Sequence, residues 1–316
     1  TISYSRLNDI GREQLPSVFI TEIKSELKEA VDSKLIAKIL AKNKSLMFSE
    51  PLALKQGLAD RNFVREVFLA QGLSVSALNN YLICPWRYFY RNLVRLPEVM
   101  SQPQLYGLAI HAALHDFFRR ALEKDLNKNT LLLLFKKYLS EAPLSGFDYK
   151  EMLKKGQQAL AGWYDTYHSS WPRNVLVEFK INGVLLTPLI RLVGVLDKLE
   201  FREASNKVTV VDYKTRQPLS RRQIIGEIVA ENGSYFRQLV FYQLLLDLYA
   251  DGRYRMTEGV IDFIEPDNKG RYKRESFVIE KESVKELKEL ILQTTKEILS
   301  LKFWDKRCAD KNCYYC

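Results

Sequence analysis

Several kinds of segment are missing from this sequence, and their absence excludes classes of protein. No apolar run approaches the ~20 residues that a membrane-spanning helix needs, and the opening stretch through Arg12 is polar, unlike a signal peptide. No Gly-rich phosphate loop of the Walker A type occurs, so we expect no ATP hydrolysis by this chain itself. Internal repeats and low-complexity tracts are also missing. A cytoplasmic protein without a membrane partner is the simplest expectation.

The composition favours a packed, basic protein. The chain has 316 residues, of which 47% are hydrophobic and 12% aromatic, enough for a folded core rather than disorder. This length fits roughly two domains, or one large domain with an appendage. Because the first residue is Thr1, we expect a part of a longer protein or a processed product. The net charge of +10 favours a polyanionic partner.

Hydrophobic periodicity divides the chain into a helical N-terminal part and a mixed part. Residues 1–72 show helical spacing and no catalytic pattern, which predicts a helical lead or linker, or the end of a preceding domain. A new helix begins near Ser74, a candidate N-cap. Strands are predicted at about 175–181 and 190–201, with Asn182-Gly183 as a hairpin turn after the first. Residues 73–316 are therefore predicted to form one α/β domain.

One buried strand carries two charges at its end. Val208 to Val211 are β-branched residues followed by Asp212 and, two positions later, Lys214. Side chains alternate along a strand, so these two charges share a face. Charges are rarely placed in a core without a partner or a function. A salt bridge where the chain leaves the sheet is the simpler interpretation of these residues alone.

Further polar residues interrupt apolar elements in the same half of the chain. His111 follows Gly107 by one helical turn, Asp197 lies on the strand before Asp212, and the pair Gln238 and Tyr242 is one turn apart on a later helix. A lone histidine on an apolar helix is more often a core residue. Two carboxylates and an imidazole, however, suit Mg²⁺ or Mn²⁺, and a lysine beside them can stabilise charge on a phosphate.

The order of these motifs resembles a known family. Gly-x-x-x-His, Gly-x-x-Asp, Asp-x-Lys and Gln-x-x-x-Tyr follow one another as in the RecB-type branch of the PD-(D/E)XK nucleases, over about residues 74–316. The resemblance implies a restriction-endonuclease-like core, which is a mixed central sheet flanked by helices. It also implies cleavage of DNA with Mg²⁺ or Mn²⁺.

By this resemblance, each motif residue has a role. His111, Asp197, Asp212 and the backbone carbonyl of Tyr213 would bind the metal ion. Lys214 would be the catalytic lysine. Gln238 and Tyr242 would position the DNA strand, and Asp197, Asp212 and Lys214 would complete the catalytic set. Glu178, on the preceding strand, is a candidate for a supporting or second-metal role, although a surface carboxylate is at least as good an interpretation.

The four cysteines lie at the two ends of the predicted nuclease domain. Cys84 precedes the core, and Cys308, Cys313 and Cys316 follow it. Some RecB-type nucleases are similar in carrying one cysteine before the core and three after it, which bind a 4Fe-4S cluster. Thiolates suit iron–sulfur clusters or Zn²⁺, and disulfides are the weaker alternative in a cytosolic protein. The spacing Cys-x4-Cys-x2-Cys departs from the usual family pattern, so zinc stays open.

The resemblance also implies a biological context. We expect a nuclease of DNA repair or recombination, joined to a helicase domain in the same chain or in a partner subunit, and an exonuclease rather than a site-specific endonuclease. Its DNA substrate would be single-stranded or a duplex end. The alternative is a catalytically silent nuclease fold that binds DNA and guides a helicase partner.

Overall fold

The structure is a computed structural model, and it describes residues 23, 24, 26, 60–121, 127–201, 206–228 and 232–316. The chain divides into two compact units, residues 1–57 and 58–316. Most of the predicted helical lead therefore lies outside the described residues. The description below concerns the second unit.

Helices and strands of the second unit are numbered here in chain order. The helices are α1 Arg61–Gln71, α2 Val75–Ile83, α3 Pro85–Tyr88, α4 Gln102–Ala121, α5 Lys128–Ser140, α6 Gly146–Tyr167, α7 Arg221–Ile225, α8 Ser234–Leu248 and α9 Lys281–Leu299. The strands are β1 Val175–Thr187, β2 Ile190–Phe201, β3 Lys207–Lys214, β4 Arg255–Phe263 and β5 Lys273–Phe277. A π-helical turn, Phe89–Leu93, and 3-10 turns at His168–Ser170 and Tyr249–Asp251 complete the regular structure of the described part. None of the described helices is both long and apolar enough to cross a membrane.

Five strands form one mixed sheet in the order β1-β2-β3-β4-β5. The first three strands are antiparallel neighbours, β3 pairs with β4 in parallel, and β5 is antiparallel to β4. The parallel step follows from the chain between β3 and β4, which contains the crossover helix α8. This mixed sheet flanked by helices confirms the predicted α/β, restriction-endonuclease-like core.

The sheet is buried on both faces because helices pack on each of them. On β3, Val208 and Val210 belong to the core cluster that contains α8, whereas Val211 and Tyr213 belong to the cluster with α4 and α6. This explains why β3 is a nearly continuous apolar run rather than an alternating one. A charge on this strand must therefore find its partners at the strand end.

The predicted helix boundaries near residue 73 are confirmed. The Ser74 hydroxyl accepts a hydrogen bond from the amide of Ala77 at 3.2 Å and caps α2. Gly72 ends α1 with φ +72°, a conformation that costs other residues steric strain. Val64 and Phe68 of α1 lie in the core of the second unit. The division at 72/73 into a helical lead and a nuclease domain stays a prediction.

The prediction of a hairpin turn at Asn182-Gly183 is wrong. Strand β1 continues through both residues to Thr187, and the turn to β2 falls at residues 188–189. The pairing of β1 with β2 shifts register between Ile181 and Val184, which identifies Asn182-Gly183 as a bulge. The turn signal failed because Val184 and Leu186 pack against the core cluster, and their burial favours continued pairing.

Candidate active site

The end of strand β3 carries a buried ion pair. Lys214 Nζ lies 2.5 Å from Asp212 Oδ2, and the side chains are 16% and 2% exposed. Both leave the same face of the strand, as the alternation predicted. The pair is thus a real contact, and it lies beside a cavity of about 250 Å³ rather than inside a closed core.

Asp197 reaches this cavity from the neighbouring strand. The pairing of Lys198 with Val211 places Asp197 next to the end of β3, and Asp197 Oδ2 accepts the backbone N–H of Tyr213 at 2.9 Å. Gly194, in the same motif, allows helix α8 to approach, since a Cβ there would lie 2.6 Å from Leu245 Cδ1. The glycine therefore sets the distance between β2 and the helix behind it.

Helix α4 brings His111 to the same cavity. His111 Nδ1 lies 3.5 Å from Asp197 Oδ2. One turn earlier, a Cβ on Gly107 would be 3.1 Å from Thr215 Oγ1, so the small residue lets the helix come close to the end of β3. The Gly-x-x-x-His spacing is explained by this contact, and the core interpretation of His111 is wrong because its side chain is 35% exposed at the cavity.

Helix α8 closes the site with a chain of hydrogen bonds. Lys214 Nζ donates to Gln238 Oε1 at 2.8 Å, Gln238 Nε2 donates to Tyr242 Oη at 2.6 Å, and Tyr242 Oη donates to Asp212 Oδ1 at 3.1 Å. Gln238 and Tyr242 can make these contacts because they are one helical turn apart. The four side chains form a closed ring around the charges of Asp212 and Lys214.

The structure adds residues that sequence reasoning missed. Tyr235, Thr215 and Arg216 also line the cavity. Lys214 Nζ lies 4.5 Å from the centroid of the Tyr235 ring, within the range of a cation–π contact. Tyr235 precedes Gln238 by three residues on the same helix face, so the helical spacing could have indicated it. Nothing in the sequence around Thr215 and Arg216 distinguishes them from a solvated loop.

The charged side chains of the site shift one another's pKa values. Burial raises the pKa of Asp212, although Lys214 opposes this effect. Burial also raises the pKa of Asp197, but His111 overcomes it, and the net pKa lies below its usual value. Burial alone would lower the pKa of Lys214, but the Asp212 carboxylate outweighs burial and the net pKa is raised. In the same way, the Asp197 carboxylate outweighs burial at His111 and raises its pKa. Two carboxylates therefore share one buried site with one fixed ammonium group.

The donor set fits a hard divalent ion. Carboxylate oxygens of Asp197 and Asp212 and the imidazole of His111 face one cavity, and O/N donors are those that Mg²⁺ or Mn²⁺ prefers. Tyr213 lines the same cavity, and the role of its carbonyl as a ligand stays a prediction.

The sequence matches a known family over most of its length. Residues 72–316 match the family model of the PD-(D/E)XK nuclease superfamily. The chain belongs to this superfamily. The described fold and the ordered set of motif residues agree with the membership. No curated protein matches the chain.

Solved structures give more distant likenesses. A crystal structure of a "putative exonuclease" from Eubacterium rectale is similar to this nuclease with 13% identity and a TM-score of 0.47, over 80% of this chain and 89% of that one. The crystal structure of SSO0001 is similar with 12% identity and a TM-score of 0.30, over 76% of this chain and 89% of that one.

The four cysteines of the nuclease come together although they are far apart in sequence. All four Sγ atoms lie within 4.8 Å of one another, with Cys313 3.7 Å from Cys84 and Cys316 3.4 Å from Cys308. The backbone N–H of Tyr315 lowers the pKa of Cys313 to about 7, whereas burial raises the pKa of Cys84 and of Cys308. The structure gives no disulfide among them.

Glu178 lies on β1 beside the site but not in it. Its φ of +45° is rare for a residue other than glycine, and its Oε2 is 3.9 Å from His115 Nε2. Glu178 does not line the cavity of Asp197 and Asp212, and its side chain is 42% exposed. A supporting role for Glu178 stays a prediction.

Proposed function

We propose that this protein is a Mg²⁺- or Mn²⁺-dependent deoxyribonuclease. The observation that carries the proposal is the single cavity shared by His111, Asp197, Asp212 and Lys214. Superfamily membership makes phosphodiester hydrolysis the reaction class, and the positive net charge of +10 suits a DNA substrate. An exonuclease is favoured over a site-specific endonuclease by the resemblance to RecB-type enzymes.

The side chains of the site have separate tasks in this proposal. His111, Asp197, Asp212 and the Tyr213 carbonyl would hold the metal, which as a Lewis acid would polarise a phosphoryl oxygen. Lys214 places a positive charge at the cavity, where negative charge develops on the phosphate. Gln238 accepts from the Lys214 ammonium and so orients it. Tyr242 donates to Asp212 and fixes the carboxylate plane.

The resting contact between Asp212 and Lys214 has a consequence for binding. The Lys214 ammonium lies against the Asp212 oxygen that a cation would use, so Lys214 must turn toward the cavity when substrate and metal enter. Tyr235 lies next to the ammonium and offers it a second resting surface. We infer that the lysine exchanges its carboxylate partner for the scissile phosphate.

The cysteine set completes the proposal with a structural metal centre. A 4Fe-4S cluster is the candidate that the family resemblance supports. A zinc ion is the other candidate, and the sulfur separations fit it more closely: tetrahedral Zn–S bonds of about 2.3 Å place the sulfurs about 3.8 Å apart, whereas the irons and sulfides of a cluster hold its thiolates farther apart. Colour and metal content distinguish them.

The biological context belongs to the same proposal. A helicase domain, in the same chain or in a partner subunit, would unwind DNA and deliver a strand or a duplex end to the cavity. Repair or recombination in the cytoplasm is the corresponding role. The RecB-type order of the motifs supports this context.

A cleavage assay tests the proposed function. Single-stranded and duplex DNA are incubated with the protein while Mg²⁺ or Mn²⁺ is titrated. We expect metal-dependent cleavage, reduced at least about 100-fold in Lys214→Ala and Asp212→Asn, because each removes a group that acts on the reacting phosphate or its metal. Lys180→Ala, at an exposed lysine of β1, is the matched control and should leave the rate unchanged.

Two results would contradict the assignment. Full activity of both site variants would show that another site cleaves the DNA. DNA binding without cleavage under any divalent metal would favour the alternative, a silent nuclease fold that guides a helicase. Circular dichroism of each variant separates a lost reaction from a lost fold.

A further inference from the structure

A second cavity lies at the opposite end of the sheet from the candidate active site. It has a volume of about 870 Å³ and is lined by the first residue of β3, the first residues of β4 and the start of α9. Strands β3 and β4 are parallel, so their first residues lie at the same end of the strands. Asp212 and Lys214 lie at the opposite end. Seven strand residues at about 3.3 Å each separate Lys207 from Lys214 by about 23 Å. The cavity is thus a separate feature.

The rim of this groove is cationic. Lys207, Arg255, Lys281, Lys285 and Lys288 line it together with one carboxylate, that of Asp247. Lys285 has Glu282 as an ion-pair partner at 2.9 Å. No ion pair is formed by Lys281 or Lys288 among the described residues. We call these five cationic residues and the floor beneath them the basic groove.

Three of the lysines form a stripe on one helix. Lys281, Lys285 and Lys288 are four and three residues apart, so they lie on the same face of α9. At 1.5 Å per residue, their positions rise by about 6 and 4.5 Å along the helix. Successive phosphates of one stacked strand rise by about 3.4 Å along the helix axis, and by more when the strand is extended. The stripe therefore spans about 10 Å, the rise of about three stacked nucleotides.

The floor of the groove is apolar. Met256, Val278, Ile279 and Val284 contribute to the lining; Val278 is 67% exposed, whereas Met256 and Val284 are buried. The apolar edges of sugars and bases can contact Val278 while the lysines contact the phosphates. The lysines would contact phosphates, which carry no sequence information, so we expect little dependence on base sequence.

We propose that the basic groove binds the backbone of a nucleic-acid strand about 23 Å from the cleavage site. The proposal rests on the proposed nuclease function, since the bound strand would be continuous with the one in the catalytic cavity. Such a groove adds affinity for long substrates without touching the reacting phosphate. Strands shorter than about seven nucleotides, at about 3.4 Å each, would not reach both places.

Binding to fluorescent oligodeoxynucleotides of 5 and 20 nucleotides tests the proposal. The measurement uses the full chain without a chelator and without added Mg²⁺ or Mn²⁺, where metal-dependent cleavage does not proceed, over a range of salt concentrations. The variant carries Lys281→Glu, Lys285→Glu and Lys288→Glu. Its control carries the same charge change at exposed lysines of α5 and α6, as Lys136→Glu, Lys150→Glu and Lys154→Glu.

We expect the groove variant to bind the 20-mer at least about tenfold more weakly, with a salt slope smaller by about 2, since each lost phosphate contact removes about 0.7. The 5-mer, which cannot occupy both places at once, should lose less affinity than the 20-mer. An unchanged 20-mer affinity, or an equal loss in the control variant, would overturn the proposal. Polyglutamate that competes for the groove better than DNA would overturn it in favour of an acidic polypeptide. Because cleavage is not read, failure here leaves the nuclease assignment intact.

Discussion

At the scale of single residues, the meaning of Asp212 and Lys214 depends on their neighbours. The two charges do form the salt bridge that a strand end would suggest. Gln238 and Tyr242 complete a hydrogen-bonded ring with them, and Asp197 and His111 stand next to it. A structural salt bridge would not need a second, half-buried carboxylate nearby. We therefore interpret the same contact as the resting state of the proposed active site.

Tyr242→Phe tests the ring without removing a charge. The change removes the hydroxyl that donates to Asp212 and accepts from Gln238. We expect cleavage activity and apparent metal affinity to fall about 10- to 100-fold, the usual loss when a partner of a metal ligand is removed. A Mg²⁺ titration of initial cleavage rates measures both quantities.

Tyr249→Phe is the matched control for this change. Tyr249 is half-buried, packs against Phe179 with ring centroids 5.2 Å apart, and does not line the catalytic cavity. Its variant should titrate with Mg²⁺ like the unaltered protein. If Tyr242→Phe also did so, the hydroxyl would have no part in holding Asp212.

At the scale of elements, strands β4 and β5 are joined by a buried charge pair. Asp262 and Arg274 are direct partners across the two strands. Arg274 Nε and Nη2 both lie 2.7 Å from Asp262 Oδ2, while Trp163 Nε1 donates to Oδ1 at 2.9 Å. Asp262 has no exposed surface. The pair fixes β5 and attaches helix α6 to the sheet through Trp163.

Arg274→Met should destabilise the fold strongly. The variant leaves the Asp262 carboxylate buried without its cation, which typically costs about 3–5 kcal/mol. The free energy of unfolding in urea measures the loss. Replacing both partners, as Asp262→Leu with Arg274→Met, should recover part of it: no buried charge is then left unpaired, but Trp163 Nε1 loses its acceptor.

Arg271→Met serves as the control. Its partner Asp267 lies four residues away in an exposed turn, and exposed pairs contribute little. Equal free energies of unfolding of the Arg274 and Arg271 variants would show that the Asp262–Arg274 pair stabilises the fold no more than an exposed pair does.

At the scale of the whole molecule, the cysteines connect the two ends of the nuclease domain. Cys84, at the end of α2, contacts Cys313, which is 229 residues later in the chain. Trp86 and Trp304 pack nearby with ring centroids 4.8 Å apart, so apolar contacts support the same junction. A metal bound by all four thiolates would close a loop that contains the sheet and the catalytic site.

Cys84→Ser is expected to lower the thermal stability of the whole domain. The substitution removes one of four ligands and opens the loop. In a domain of this size, each 1 kcal/mol lost from the free energy of unfolding lowers the Tm by about 2–4 °C. Thermal unfolding followed by circular dichroism, with and without a chelator, measures the effect together with bound iron and zinc. The unaltered protein should lose stability with the chelator, and the variant should not respond. An equal response of both proteins would contradict a shared metal centre.

Local sequence predicted most of the elements and the candidate site residues. A run of β-branched residues predicted β3, helical spacing predicted α8, and the four motifs named the candidate residues His111, Asp197, Asp212, Lys214, Gln238 and Tyr242. These signals are readable because each arises from residues within one or two turns or strand repeats of one another. Where burial overrode a local signal, as at Asn182-Gly183, the prediction failed.

Only the tertiary structure decided how distant segments meet. It brought the four cysteine Sγ atoms within 4.8 Å of one another and placed Tyr235 against the Lys214 ammonium. It also placed Lys207, at the start of β3, in the same cavity as the lysine stripe of α9. Strand order and helix packing set these distances, and both depend on burial of apolar surface contributed by residues far apart in the chain. Sequence periodicity reports which face of an element is buried, but not which other element covers it.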